Sequence, residues 1–372
     1  MITCNRTSDD EKYIKSLADA IGAPIENLNS IVGLDELKSI LKEASFENFN
    51  PNCDEYCINL HTHSKFSDGA AEVDEILDEA QARAKNSKKT FLIGITDHDC
   101  LDGARYLIKT IASNPEKYDN IRVMAGVEPC FKYENPKIFK MPIPFDAIIY
   151  CVNPFEKNTI ELFKTYTDKN KDYSRLIMHK VNQRWNLNAN YEDSCKFHCL
   201  LKTGGSSGFF KFTRKYVEHL LDEAGIVYSP VEVLEIFKPF YANQNGRATL
   251  ATVNINDAVK KLSAGGFGQI GIAHPALLEL NPKFEDGWDF ESEDNILDGI
   301  TYEEALVKFL KSCNLSFVET NYVYPEKYYA KYPQLKHLTE VVKTVCDELH
   351  VIHSGGTDSH GNTSGKILSG RY

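Results

Sequence analysis

Short apolar runs alternate with amphipathic segments from residue 56 onward. The runs YCINL, TFLIGI and IRVMA have the length of strands, and the segments between them, AAEVDEILDEAQARAK and GARYLIKTIAS, repeat apolar residues with helical spacing. Further apolar runs occur in DAIIYCV, GQIGI, LSFVETN and HVIHS. An alternation of strands and amphipathic helices predicts an α/β protein built on a parallel sheet.

Two regions depart from this alternation. Residues 9–45 carry helical periodicity in segments too small to hold a core of their own, which predicts a helical N-terminal extension over 1–52 packed on a main domain of 53–372. Residues from about 155 to 250 contain two further helical patterns around the glycine-rich LKTGGSSGFF. We interpret them as an inserted helical lobe beside the active face. The glycine-rich segment lacks the Gly-Lys-Ser/Thr of a phosphate-binding loop and is interpreted as a mobile loop.

Composition narrows the classes of function. The net charge of −11 argues against a broad surface for extended nucleic acid and favours a compact substrate. The absence of a long apolar run and of an apolar signal sequence predicts a cytoplasmic protein without membrane contact. Ten scattered cysteines fit reduced thiols. A structural zinc site would require the pairs Cys53/Cys57 and Cys195/Cys199 to meet in space.

Nearly every predicted strand ends in a histidine or an acidic residue. These residues are His61, His63, Asp97, His98, Glu128, His274, Glu319, Asp358 and His360. In parallel barrels the active site lies at the carboxyl ends of the strands, so residues spread over the whole chain would converge on one face.

The type of these residues indicates a metal site. His61 and His63 leave one strand two positions apart, so both imidazoles point to the same side. Asp68 follows in SDG, where the glycine allows the chain to turn back toward a neighbouring ion. Mixed imidazole and carboxylate ligands suit zinc, manganese or iron.

The motifs HTHSKFSDG, ITDHD, GVE, AHP and GTDSHG occur in this order. The order resembles that of the polymerase and histidinol phosphatase family, the PHP domain, over about residues 57–365. The resemblance implies a TIM-like distorted (β/α)7 barrel, the PHP fold, with two or three divalent metal ions at the strand ends.

The resemblance also implies three groups of ligands. The first ion would be bound by His61, His63, Glu128 and Asp358. Glu128 would bridge to a second ion, which His274 also binds, and a third ion would be held by Asp68, His98 and His360.

One position departs from the family pattern. Relatives carry a further histidine in the strand after the glutamate, whereas the corresponding spacing here falls on Phe139. The stretch FDAIIYCVNP resembles that strand, displaced by NPKIFKMPIP, and its alignment places Asp146 at the ligand position. Asp146 is therefore expected to replace the histidine; the alternative is a second ion that is weakly held or absent.

Two further residues are candidates for catalysis. Asp99 follows His98 and could protonate a leaving group, or it could orient His98. Arg214 matches an arginine near the phosphate in some relatives, although an exposed helix arginine is an equal interpretation. Glu319 matches no usual ligand and is interpreted as a supporting residue. His353 is interpreted as a core or supporting histidine, with a role as a ligand as the alternative.

These observations predict a metal-dependent phosphoesterase that hydrolyses a small phosphorylated substrate, such as a nucleotide, by attack of a metal-bound hydroxide. Other enzymatic alternatives are an oligonucleotide phosphodiesterase or exonuclease and a histidinol-phosphate phosphatase. The alternative from a different class is a regulatory module that binds metal or phosphate without catalysis.

Overall fold

The computed structural model of the 372-residue chain describes residues 6–44, 55–190, 214–241 and 253–360, apart from 68, 70, 266, 279–280, 283–287, 290–294, 314, 323 and 325. These residues form a mixed α/β structure with parallel sheets. Among its described helices, none combines the length and the apolar character needed to span a membrane.

The N-terminal extension contains the helices α1 (Ser8–Ile21) and α2 (Leu34–Glu43), joined by the short 3-10 helix Ile25–Leu28. Helix α1 begins at Thr7, whose hydroxyl accepts a hydrogen bond from the backbone N–H of Asp10. The Asp10 carboxylate in turn accepts hydrogen bonds from the first turn of α2, at the backbone N–H groups of Asp35 and Glu36. The two helices are thereby locked to one another.

A three-stranded parallel sheet follows, in the order β1-β2-β3. Its strands are β1 (Tyr56–Asn59), β2 (Thr90–Ile95) and β3 (Ile121–Ala125). Helices α3 (Val73–Ser87) and α4 (Asp102–Ser113) connect them and bury their apolar faces in the core. This part has the βαβ arrangement predicted from the alternating pattern.

The other principal sheet has five strands in the order β10-β9-β6-β5-β4. These are β4 (Cys130–Tyr133), β5 (Ile143–Tyr150), β6 (Gln269–Ile272), β9 (Phe317–Tyr322) and β10 (Ile352–Gly356). Strands β6, β9 and β10 are parallel, whereas β5 runs antiparallel to both β4 and β6. A two-stranded ribbon of β7 (Asn281–Pro282) and β8 (Trp288–Asp289) lies apart.

The remaining helices come after β5 in the chain. They are α5 (Lys157–Trp185), α6 (Arg214–Glu223), α7 (Pro230–Tyr241), α8 (Ile255–Gly265), α9 (Tyr302–Ser312), α10 (Glu326–Lys331) and α11 (Leu335–Leu349). The domain limits at 52 and at about 155 and 250 stay predictions. The glycine-rich LKTGGSSGFF and three of the four paired cysteines, Cys53, Cys195 and Cys199, lie outside the described residues.

The closed seven-stranded barrel implied by the family resemblance is not found among the described strands. Among the described residues, the backbone contacts between the two sheets include the pairs of Thr62 with Ser359 and of Val127 with Ile149, and a hydrogen bond from the N–H of Leu60 to the carbonyl of Gly355. Next to the first pair, Asp358 has a left-handed backbone with φ of 48°. A residue in that region cannot continue an extended strand, so the ladder is interrupted where the polar side chains gather.

A buried ion pair fastens the N-terminal extension to the first sheet. The Arg122 guanidinium on β3 donates hydrogen bonds to the Glu36 carboxylate on α2 and to the carbonyl of Asn29. The side chains of Arg122 and Glu36 are only 3% and 8% exposed. The extension is therefore attached to β3, with which Ile31 also forms a parallel backbone pair at Val123.

Replacing Glu36 with alanine is expected to lower the free energy of unfolding by about 3–5 kcal/mol, because it leaves the buried Arg122 without its carboxylate. Denaturant unfolding monitored by circular dichroism measures this change. The matched control is Asp9→Ala on α1, which removes the exposed pair with Lys12 and should cost less than about 1 kcal/mol. Equal effects of the two substitutions would contradict the anchoring role.

Candidate metal centre

The structure gathers the predicted ligands at one end of the two sheets. They follow the parallel strands directly: His61 and His63 after β1, His98 after β2, Glu128 after β3, His274 after β6, and Asp358 and His360 after β10. The Nε2 atoms of His61 and His63 are 3.1 Å apart, as expected for alternate residues of one extended segment.

Asp146 reaches the same place from a different direction. It lies near the start of β5, and β5 is antiparallel to β6, so its beginning lies beside the carboxyl end of β6. The backbone carbonyl of Asp146 accepts a hydrogen bond of 3.1 Å from the N–H of Ala273, next to His274. Pairing with β6 therefore places Asp146 beside His274.

Glu128 occupies the centre of the cluster. Its Oε2 lies 3.2 Å from the Nε2 atoms of His61 and His63 and 2.9 Å from Nδ1 of His98, and its Oε1 lies 3.3 Å from Nε2 of His274. The side chain is 1% exposed, yet among the described residues no donor meets either oxygen with hydrogen-bond geometry. A buried carboxylate in this setting requires compensation. Divalent cations between Glu128 and the imidazoles would supply it, so the residues fit a metal centre.

The donor atoms divide into three groups, and within each group they lie within 4.8 Å of one another. Group 1 contains His61, His63, Glu128 and Asp358; group 2 contains Glu128, Asp146 and His274; group 3 contains His63, His98 and His360. Asp358 and His360, two positions apart in sequence, belong to different groups. Asp68 lies outside the described residues, so its predicted place in group 3 stays a prediction.

Glu319 on β9 orients residues of two groups. Both of its carboxylate oxygens lie 3.2 Å from Nδ1 of His61, and one accepts a hydrogen bond of 2.9 Å from the backbone N–H of His274. A proton on Nδ1 of His61 leaves its Nε2 available toward Glu128 and Asp358. This is the carboxylate–histidine arrangement that fixes the ring of a metal ligand.

His63 is oriented through a serine. Ser67 Oγ donates a hydrogen bond of 2.7 Å to Asp97 and lies 3.5 Å from Nδ1 of His63. Asp97 also accepts hydrogen bonds from the backbone N–H and the hydroxyl of Ser64, each 2.7 Å long. Asp97, one of the strand-end acids of the sequence, thus holds the turn after His63 and belongs to none of the three groups.

Asp358 is held by contacts on two sides. Tyr322 donates a hydrogen bond of 2.9 Å to its Oδ2, while Oδ1 faces His63 at 3.0 Å. The preceding backbone approaches β1 closely, since a Cβ on Gly356 would lie 2.4 Å from the Cβ of His61. Gly356 of SGGTDSHG therefore allows the last strand to approach the histidines.

The electrostatics of the cluster call for positive charge. Burial alone would lower the pKa of His61, but the charges of Glu128, Glu319 and Asp358 outweigh it and raise that pKa well above its ordinary value. The same balance of burial against neighbouring carboxylates raises the pKa of His63 and of His274 to about 9. Because metal ligation requires neutral imidazoles, divalent ions would displace these protons.

The described residues of the cluster differ in their exposure. His61, His63 and Glu128 are essentially buried, whereas the side chains of His98, His274 and His360 are 16%, 23% and 12% exposed. A substrate would approach from the side of these three histidines.

The remaining predicted residues are placed as follows. Asp99 is buried, and its Oδ1 accepts a hydrogen bond of 2.9 Å from the N–H of Cys130, so one oxygen anchors the start of β4. Its role in proton transfer stays a prediction. Arg214 begins α6, and its side chain lies outside the described residues. Phe139 is buried in the core. His353 contacts Thr320 and Asp347 and belongs to none of the three groups.

Substitution of Glu319 by alanine is expected to weaken metal binding by about 10–100-fold, because His61 loses the group that fixes its ring. Isothermal titration of the metal-free protein with zinc measures the change. Asp347→Ala is the control, since it removes a carboxylate that bonds a histidine outside the three groups, His353, at 2.9 Å. Unchanged zinc affinity in Glu319→Ala would contradict the orienting role.

No protein-family model matches this chain, and no curated protein matches it. Solved structures do match. One is described as a candidate metal-dependent phosphoesterase from Bifidobacterium adolescentis, with a TM-score of 0.50, 14% identity, and coverage of 85% of this chain and 93% of that chain. Another is an amidohydrolase from Chromobacterium violaceum with bound sulfate and no metal, with a TM-score of 0.52, 20% identity, and coverage of 84% and 89%. At these identities the likeness shows a shared fold.

Proposed function

We propose that this protein is a metal-dependent phosphoesterase of the PHP type, acting on a small phosphorylated substrate. The observation that carries the proposal is the buried Glu128 carboxylate, whose two oxygens face four imidazole nitrogens at 2.9–3.3 Å. A carboxylate shared between neighbouring cation positions is typical of enzymes that hydrolyse phosphate esters.

Charge balance supports two or three divalent ions. The cluster contains four buried carboxylates, those of Glu128, Asp146, Glu319 and Asp358. A phosphate dianion could not approach them without compensation. Two divalent ions would neutralise the four charges, and a third, in group 3 beside the opening, would give the site the positive charge that a phosphate ester needs.

The chain's own residues then have distinct tasks. Bound divalent ions would lower the pKa of a water molecule and neutralise charge that develops on phosphorus. Glu319, Ser67 and Tyr322 hold the rings and the carboxylate that face the ions, while the buried floor of the cluster excludes other water. In this proposal Asp99 donates a proton to the leaving group, and Arg214 contacts the phosphate.

The substrate size is inferred from the charge of the chain and from the exposure of the site. The net charge of −11 opposes a long polyanion, and the partly exposed side chains among the described members of the three groups are His98, His274 and His360. The two structural neighbours are compatible with a phosphorylated substrate, since one is described as a candidate metal-dependent phosphoesterase and the other has bound sulfate, a tetrahedral anion like phosphate. We further propose that the two sheets form an open variant of the distorted PHP barrel.

The test is hydrolysis by the full chain, stripped of metal and reloaded with manganese, zinc or ferrous iron. The substrates are nucleotides, sugar phosphates, histidinol phosphate, phosphodiesters, a short oligonucleotide and simple amides. Metal-dependent release of phosphate from a small monoester or diester is the expected result. Preference for the oligonucleotide would favour the phosphodiesterase alternative, and preference for the amides would overturn the phosphate assignment. Metal binding without any hydrolysis would favour the regulatory module.

A further inference from the structure

We infer that group 2, formed by Glu128, Asp146 and His274, is an exchangeable position that takes a hard divalent ion, represented by Mn²⁺, while group 1 retains a borderline ion, represented by Zn²⁺. The protein would thus be a mixed-metal enzyme. This inference rests on the proposed function and specifies which ion each position takes.

The first argument is the chemistry of the donors. Group 1 offers two imidazoles and two carboxylates, and group 3 offers three imidazoles among its described members. Group 2 offers one imidazole and two carboxylates. Imidazole nitrogen suits zinc, whereas carboxylate oxygen suits manganese and magnesium. Zinc generally binds a given site more tightly than manganese, so the expected difference lies in the zinc-to-manganese affinity ratio, which should be lowest at group 2.

The second argument is the way Glu128 divides its oxygens. Oε2 faces His61 and His63 of group 1, whereas Oε1 faces His274 of group 2 at 3.3 Å. Each position therefore has its own oxygen of the shared carboxylate, and Asp146 and Asp358 each serve one group only. The two positions can differ in metal preference because their remaining donors are separate.

The third argument is burial. Every residue of group 1 is buried. Two of these residues have further partners, since Glu319 contacts His61 and Tyr322 donates a hydrogen bond to Asp358. In group 2, the His274 side chain is 23% exposed. An ion in group 1 must leave through buried surroundings, whereas an ion in group 2 lies nearer to solvent. Group 2 is therefore the position at which the metal exchanges faster.

The direct test uses crystals of the metal-free full chain equilibrated with zinc and manganese together. Anomalous scattering recorded on both sides of the zinc and manganese absorption edges identifies the ion at each position. We expect zinc in group 1 and manganese enriched in group 2. Equal zinc-to-manganese ratios at the two positions would overturn the inference and leave the proposed function standing. Failure of any ion to bind would overturn both.

Two variants test the role of Asp146 in solution. Asp146→His supplies an imidazole and should raise the zinc-to-manganese affinity ratio of group 2 by at least about tenfold. Mutating a residue that only orients a metal ligand already changes metal affinity by about tenfold or more. Asp146→Asn is the matched control, because it keeps an oxygen donor and should weaken both ions without a comparable change in their ratio. Electron paramagnetic resonance of bound Mn²⁺ under zinc competition measures this ratio. An unchanged ratio in a folded Asp146→His protein would overturn the inference, and the crystal experiment on the unaltered chain decides the matter if that variant does not fold.

Discussion

Glu128→Gln is expected to lower the rate of metal-dependent hydrolysis by about 10³-fold. This is the upper end of the loss of rate seen when one group that stabilises charge in the transition state is removed. The substitution keeps the size of the side chain but removes the charge that faces imidazoles from three strands. Because groups 1 and 2 share this carboxylate, both should bind metal less tightly. Initial rates and bound metal per chain, measured by elemental analysis, check the two effects together.

The control for this substitution is Glu303→Gln. Glu303 also lies against an imidazole, that of His337 at 2.8 Å, but both side chains are exposed on the surface. This variant should keep full activity and full metal content. If Glu128→Gln retained both metal and rate, Glu128 would not be the shared ligand and the assignment of the centre would be wrong.

Asp358→Asn is expected to reduce activity by at least about 100-fold. Asp358 belongs to group 1, and its Oδ1 lies 3.0 Å from Nε2 of His63 and 3.4 Å from Nε2 of His61. The variant should remain folded, because the apolar core does not rest on Asp358. Rate measurements at saturating metal, together with a circular dichroism spectrum, separate loss of chemistry from loss of structure.

A graded variant refines this prediction. Tyr322→Phe removes only the hydrogen bond of 2.9 Å to Oδ2 of Asp358 and should cause a smaller loss of rate. Full activity of Asp358→Asn would show that hydrolysis does not depend on group 1. A larger loss in Tyr322→Phe than in Asp358→Asn would show that the tyrosine acts on the substrate and not through Asp358.

Strands and helices that have a clear local pattern of apolar residues are predicted well from the sequence. The apolar runs at 90–95 and 121–125 coincide with β2 and β3, and the helical spacing at 103–113 coincides with most of α4. The polar residues that follow these strands are brought together because neighbouring parallel strands end at the same edge. Local pattern and sheet geometry are sufficient for this step.

Features that depend on long-range pairing were not predictable. Strand β4 is short and is specified by pairing with β5, Cys130 opposite Asp146, and not by an apolar pattern of its own. The hydrogen bond from Tyr322 to Asp358 and the ion pair between Glu36 and Arg122 join residues that no spacing rule relates. The closed barrel came from the family resemblance and is not found among the described strands.

Strand β5 has a consequence for how this protein can vary among related sequences. Asp146 takes its position from the pairing of Ala147 with Ile272, and not from the length of the segment that precedes β5. That segment is tied elsewhere, through the pairing of Phe139 with Ile296. Insertions and deletions before residue 143 should therefore be tolerated without displacing the aspartate, so the length of this loop and the position of Asp146 can change independently. An alignment that counts residues from Glu128 would misplace Asp146, whereas one anchored on β5 and β6 would recover it.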